Sequence, residues 1–246
     1  MDYKRRYEEW MNGEYFDEAT RKELRDIIND EKEIEDRFYK DLHFGTGGLR
    51  GIIGAGTNRM NKYTVARATK GLANYILKQG EDEPSVVIAH DSRHFSREFA
   101  KEAAGVLLSS GIKVYLFEDL RPTPELSFAV RETKSMAGIV ITASHNPPEY
   151  NGYKVYWKDG GQIVDPVAKE LMEEINSISD FSGIQCLDGC SLEGFDNLHI
   201  IGEEMDKIYI NKVKSLSLNP EVIKKVKDIS IVYTPLHGAG NMPVRR

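Results

Sequence analysis

The sequence predicts an α/β fold: a mixed, mainly parallel sheet sandwiched by helices, followed by an incomplete second α/β domain. Three observations carry this. Short apolar runs alternate with amphipathic helical patterns between residues 64 and 142, the order that builds a parallel sheet with right-handed crossovers. Asn151-Gly152, a hairpin dipeptide, stands between Tyr150 and the alternating Tyr153-Lys154-Val155-Tyr156-Trp157 and turns a further strand back. The pattern dissolves between about 179 and 197 into Ser, Gly, Asp and Cys, which divides the chain into a first domain over 1–196 and the start of a second over 197–246.

Taken in order, residues 3–42 are charge-rich with sparse apolar positions such as Ile27, Ile34 and Phe38, the pattern of solvated surface helices. Gly45-Thr46-Gly47-Gly48-Leu49-Arg50-Gly51, continuing to Gly54 and Gly56, is too glycine-dense for the interior of a regular element and reads as a tight strand-loop passage. Val65, Ala68, Leu72 and Ile76 then share one helical face, with Thr64 as cap and Gly80 past the end. Strands are expected at 85–90, 112–117 and 137–142. Helices are expected at 96–110, with Phe99, Ala103, Val106 and Leu107 inward, and at 124–133.

The hairpin at Asn151-Gly152 folds Lys154 back toward the loop before it. Asp165-Pro166 supplies the cap and first-turn proline of a helix whose core face is Val167, Leu171, Ile175 and Ile178. The second unit opens with Met205, Ile208, Tyr209, Val213 and Leu216 on one helix face. A strand at 229–234 and Pro235-Leu236-His237-Gly238-Ala239-Gly240 follow, too little chain to close a core.

Composition narrows the function classes. The 246 residues are 40% apolar and 29% charged, which suits a globular protein, and the net charge of -6 argues against a general nucleic-acid or acidic-membrane footprint. Phosphate recognition, if present, is local. Cys186 and Cys190 make neither a disulfide framework nor a complete zinc set, and read as reduced thiols. The charged amino terminus is no signal peptide and no apolar span reaches bilayer length, so the expected location is the cytoplasm.

The chemistry concentrates at strand exits, where open parallel sheets bind ligands. Thr142-Ala143-Ser144-His145-Asn146-Pro147 leaves one such strand and Asp91-Ser92-Arg93 leaves another. The plain alternative for the first is a turn. A serine hydrolase is disfavoured, because Ser144 and His145 are neighbours that point apart in extended chain and no G-x-S-x-G elbow occurs. The glycine loop fails the dinucleotide pattern, its last position being Arg50 counted from Gly45 and Arg59 counted from Gly54, and no P-loop is present. His90 and His94 straddle a strand exit and read as loop histidines. Arg50 and Lys154 supply the cations that a phosphoserine dianion requires, and a desolvated lysine beside another cation has the lowered pKa that suits a base.

The segments 44–61, 91–96, 120–125, 142–157 and 233–240 together resemble consecutive landmarks of the α-D-phosphohexomutases, in the branch holding phosphoglucomutases and phosphopentomutase-like enzymes. The resemblance implies that residues 1–196 form the family's first domain. It makes Ser144 the phosphoserine and one oxygen ligand of Mg2+, with Arg50, His145 and Lys154 shuttling protons and steadying charge, acid and base unassigned. It also implies interconversion of glucose 1-phosphate and glucose 6-phosphate through glucose 1,6-bisphosphate, with phosphomannomutase or phosphopentomutase activity as the alternatives. Hexose phosphate is then the partner, with no nucleic acid and no membrane, and with self-association through the incomplete second domain. Members are more than twice this length, and their Asp-Gly-Asp-x-Asp-Arg metal loop is absent from these residues. The chain therefore looks like domain one and the opening of domain two, inactive alone, and a noncatalytic protein of the same fold is the rival of a different class.

Overall fold

Six strands form one sheet in the order β1-β5-β4-β2-β3-β6 in the computed structural model, which describes residues 2–45, 48–181, 183–185, 191–226 and 228–246. They are β1 (Gly48–Ile52), β2 (Ser85–His90), β3 (Lys113–Phe117), β4 (Ala137–Ile141), β5 (Tyr150–Trp157) and β6 (Leu198–Ile201). β4, β2, β3 and β6 run parallel, and β5 is antiparallel to both β4 and β1. Every residue of β2 and β4 is buried, as central strands covered on both faces must be. Thr46, Gly47, Cys186 and Cys190, read above from sequence, lie outside the described residues.

The strand reversal at β5 differs from its sequence reading. Asn151 and Gly152 lie inside β5, and the turn from β4 to β5 is the segment 142–149. Buried Asn151 donates from Nδ2 to His94 O at 2.9 Å and Ser96 Oγ at 3.0 Å. A Cβ at 152 would come within 2.6 Å of Thr142 O and 2.9 Å of Leu49 O, so glycine serves close backbone approach. The dipeptide acts through tertiary contacts that imitate a turn signal.

Helices α4 (Lys62–Lys78), α5 (Ser96–Ser109) and α7 (Val167–Ser177) cover one face, where Leu72, Ile76, Phe99, Leu107, Leu171 and Ile175 pack on Val86, Ile88, Ile139 and Val155. Helices α6 (Thr123–Glu132) and α8 (Glu203–Ser215) cover the other, with Leu126, Val130 and Met205 on Val87, Ala89 and Val140. The cap of α4 is Asn61, and Thr64 completes its capping box three residues on. Pro166 precedes α7 without a side-chain cap bond, so Asp165 does not cap it. The crossing of α4 and α7 needs Gly71, because a Cβ there would sit 2.4 Å from Ile175 Cγ1 and 2.9 Å from its backbone nitrogen. Gly71→Ala is expected to destabilise the fold by about 1–3 kcal/mol, the usual cost of overpacking, read as a lower urea midpoint.

The amino-terminal helices do more than cover the surface. α1 (Tyr3–Asn12), α2 (Glu18–Asp26) and α3 (Glu31–Phe38) start on Asp2, Asp17 and Asp30, whose carboxylates accept backbone N–H bonds. Trp10, Phe16, Leu24, Ile34 and Phe38 form a core of their own with Ala55 and Tyr63. Trp10 stacks on Phe16 with ring centroids 4.3 Å apart. The sequence reading of a merely solvated face missed this, because the apolar residues come from separate short helices and meet only in space.

Past residue 197, β6 joins the first sheet by pairing with β3, and Tyr209 of α8 lies 5.5 Å from Phe128 of α6. Of the expected apolar face of α8, Met205 is buried, whereas Ile208, Val213 and Leu216 are exposed. A buried ion cluster joins α8 to the end of β3: Arg121 Nε donates to Asp206 Oδ1 at 2.7 Å and Nη2 to Oδ2 at 3.0 Å, with Glu118 at 3.3 Å and Arg246 also on Asp206. Burial would raise Asp206, but the bonds and charge of Arg121 hold it below the usual carboxylate range. Fully buried Glu125 accepts no hydrogen bond, and desolvation together with Asp206 pushes it up to about 8.

After α9 (Pro220–Lys225) the chain runs to α10 (Asn241–Arg245), and residues 229–234 form no strand. Ile231 and Val232 are 77% and 96% exposed, and the segment joins none of the six described strands. Among the described residues no helix is long and apolar enough to cross a membrane.

Candidate active site

Ser144 stands two residues beyond the buried Thr142 that continues β4, at the carboxyl edge of the parallel strands. Its φ of 56° is left-handed, which a side-chain-bearing residue adopts at a cost of about 1–2 kcal/mol. Both of its peptide groups are held: its N–H donates to Thr142 Oγ1 at 2.8 Å, and its carbonyl accepts from Arg93 Nη2 at 2.7 Å. The hydroxyl is exposed and takes a hydrogen bond from Lys154 Nζ at 2.9 Å.

Lys154 reaches that hydroxyl because β5 returns antiparallel beside β4, pairing Lys154 with Val140. Desolvation, and then the positive charge of Arg50, hold its ammonium below the ordinary lysine value, while Asp91 opposes the shift. Arg50 lies within β1, not in the loop before it, across from Gly152, and its Nη1 donates to Asn146 Oδ1 at 3.1 Å. His145 is exposed on the same loop. Ser144, Lys154 and Arg50 are thus brought together, whereas His145 is exposed next to Ser144 in the chain.

Sequence reading noticed Asp91-Ser92-Arg93 but not what it does. Arg93 Nη1 donates to the carbonyls of Pro147 at 2.9 Å and Tyr150 at 3.1 Å, and Nη2 to those of Ser144 at 2.7 Å and Asn146 at 2.5 Å. Asp91 Oδ1 accepts from Arg93 N and from Ser96 Oγ, which in turn receives a bond from buried Asn151. An arginine one residue pair beyond a strand exit was the available signal. Ser92 Oγ donates to His237 O at 2.8 Å, which brings the segment 233–240 beside the same turn. His90 is buried at the end of β2 and His94 is exposed beyond it, so they form no pair on one face.

Among the described residues no three His, Cys, Asp or Glu side chains cluster as around a metal ion. A groove of about 950 Å³ is lined by Ile53, Phe95, Phe99, Leu116 and Ile200 among others, and its lining includes neither Ser144, Arg50 nor Lys154. The arrangement at Ser144 is that of an exposed hydroxyl between cations on a rigidly held loop, suited to receiving a phosphoryl group.

The family model described as phosphoglucomutase/phosphomannomutase, alpha/beta/alpha domain I, matches residues 41–181. A phosphoglucomutase of Staphylococcus haemolyticus is 43% identical over 208 residues, 84% of this chain and 36% of that protein. A human phosphopentomutase is 37% identical over 218 residues, 85% of this chain and 35% of that protein. The crystal structure of the exocytosis-sensitive phosphoprotein pp63/parafusin from Paramecium shares the fold with a TM-score of 0.64 at 17% identity, over 84% of this chain and 41% of that one. The chain spans little more than a third of the length of these curated relatives. With the match over 41–181 added to the Ser144 loop and the six-stranded sheet that holds it, the chain belongs to the phosphoglucomutase/phosphomannomutase family.

Proposed function

We propose that this chain carries the phosphoryl-transfer site of a phosphohexomutase and that Ser144 holds the phosphoryl group between transfers. The supporting observation is Lys154 Nζ at 2.9 Å from a serine oxygen whose backbone is pinned on both sides. As the bond from phosphorus to Ser144 Oγ breaks and one to a sugar hydroxyl forms, Lys154 delivers a proton to the serine oxygen. The sugar hydroxyl gives up its own proton in the same step, and the acceptor we propose is His145, exposed on the same loop. In the second half-reaction the directions reverse, and Lys154, held below the ordinary lysine pKa by desolvation and by Arg50, takes the serine proton back. Arg50 steadies charge and holds Asn146 in the loop.

The substrate we propose is glucose 1-phosphate and glucose 6-phosphate, with the 1,6-bisphosphate between them. The names of the relatives keep a pentose phosphate as the second reading. Mg2+ is the proposed cofactor, serving as a Lewis acid on the phosphoryl oxygens. Ser144 is an apt oxygen ligand for it, but the described residues do not make a complete Mg2+ site, and no step is drawn through the ion. The remaining ligands and the grip on the distal phosphate we assign to the length that the relatives have beyond this chain. Exposed Leu218, Ile231, Val232 and Leu236 support association of the carboxyl-terminal segment with further chain or with a second copy, which sedimentation over a concentration series tests.

The pure 246-residue chain is therefore expected to show no mutase turnover in a coupled assay, even with Mg2+ and glucose 1,6-bisphosphate supplied. Sugar-phosphate binding without turnover is what this chain should retain, measurable by calorimetry with glucose 1-phosphate. Turnover at an enzyme-like rate would overturn the assignment of the missing parts, and absence of both binding and phosphoryl uptake would overturn the site.

A further inference from the structure

We propose that Arg93 is the positioning residue of this site, a clamp that sets where the Ser144 hydroxyl stands relative to Lys154. One guanidinium spans four carbonyls, those of Ser144, Asn146, Pro147 and Tyr150, at 2.5–3.1 Å. It gathers the two ends of the β4–β5 turn around a single planar group. Its remaining donor, Nε, faces Asp91 Oδ2 at 3.7 Å, and Asp91 is tied through Ser96 to Asn151 in β5. The clamp is thus anchored in the sheet at its base and in the loop at its tip, with its side chain only 13% exposed.

The reason for an arginine is geometric. Two nitrogens, each with two N–H groups in one plane, match two pairs of carbonyls, whereas a lysine ammonium offers three donors from one atom. Without the clamp, the carbonyl of Ser144 is released, the left-handed residue relaxes toward an ordinary conformation, and the hydroxyl drifts from Lys154. Arg93 touches only backbone in this loop, so it acts on the chemistry through Ser144 and not by contact with a reacting group. Its importance for phosphoryl transfer rests on Ser144 being the carrier; the clamp itself rests on geometry alone.

A thiol at position 144 reports the clamp without any mutase activity. In a Cys186→Ser/Cys190→Ser background, Ser144→Cys is alkylated with iodoacetamide across pH, and the modified residue is located by peptide mass. Cations near a cysteine lower its pKa from about 8.5, so Lys154 and Arg50 should bring the midpoint of the rate profile below that value. Adding Arg93→Gln should raise the midpoint by roughly one unit, with circular dichroism showing that the sheet persists. Adding Arg93→Lys instead keeps the charge but cannot span the four carbonyls, and should raise it too. A midpoint unmoved by Arg93→Gln, or restored in full by Arg93→Lys, would overturn the clamp, the second outcome showing that charge and not geometry matters. Should Arg93→Gln fail to fold, Arg93→Lys alone decides the matter. Failure of Ser144 to take up phosphate would end the carrier reading and leave the thiol result standing.

Discussion

Ser144→Ala is expected to lose phosphoryl uptake entirely and to lower turnover by about 10⁴- to 10⁶-fold, the scale seen when a covalent nucleophile is removed. The measurement belongs in a protein that extends this chain through the length of its relatives. There, intact mass after incubation with glucose 1,6-bisphosphate would show one added phosphoryl group in the unaltered protein and none in the variant. Stability should change little, because the hydroxyl is exposed and carries no core packing. Lys154→Ala and Arg50→Ala should behave differently. Each assists transfer without accepting the group, so each should slow turnover by about 10²–10⁴-fold and leave some phosphoserine detectable. A Ser144→Ala protein that still gains one phosphoryl group and turns over at the unaltered rate would remove Ser144 from the mechanism.

The largest effect on stability is expected at the ion cluster under α8. Asp206→Ala removes from fully buried Arg121 its buried ion-pair partner and leaves half-exposed Glu118 among the described ion pairs, and breaking such a buried pair costs about 3–5 kcal/mol. Urea unfolding followed by circular dichroism gives this directly, and a loss below about 1 kcal/mol would show that the pair contributes little. The same cluster gives stability a pH dependence through Glu125. Its folded pKa is pushed from an ordinary 4.5 up to about 8, so the unfolded chain releases that proton first as pH rises. Its contribution is therefore fully present below pH 4.5 and is lost as pH climbs through about 8, at up to about 1.4 kcal/mol per unit. Glu125→Gln keeps the neutral shape and removes the proton, so it should flatten the slope between those pH values and be the more stable protein at pH 8. Equal slopes for both proteins would assign the pH dependence to other groups.

The strands and helices between residues 85 and 142 were legible because each carries its own period: β2 and β4 read as buried runs, and α5 shows its inward residues at helical spacing. Ser144 and Lys154 were legible for a related reason. Their segment has a distinctive local wording, and a strand that returns after a short turn must bring residues ten apart near each other, as the 2.9 Å contact bears out. Asn151-Gly152 misled, because local preference for a turn and tolerance of close backbone approach select the same residue types.

The sequence by itself thus determined the alternation of elements, the position of the serine loop at a strand exit and the choice of its cationic neighbours. Tertiary structure alone decided the rest. The four-carbonyl grip of Arg93 reaches 51–57 residues along the chain, and the Arg121–Asp206 pair joins residues 85 apart. The aromatic core of α1–α3 is assembled from pieces that each look too polar to have one. Periodicity records which face of one element is buried, but a side chain bonding to a distant backbone leaves no mark in local spacing. The partner exists only once the sheet has closed.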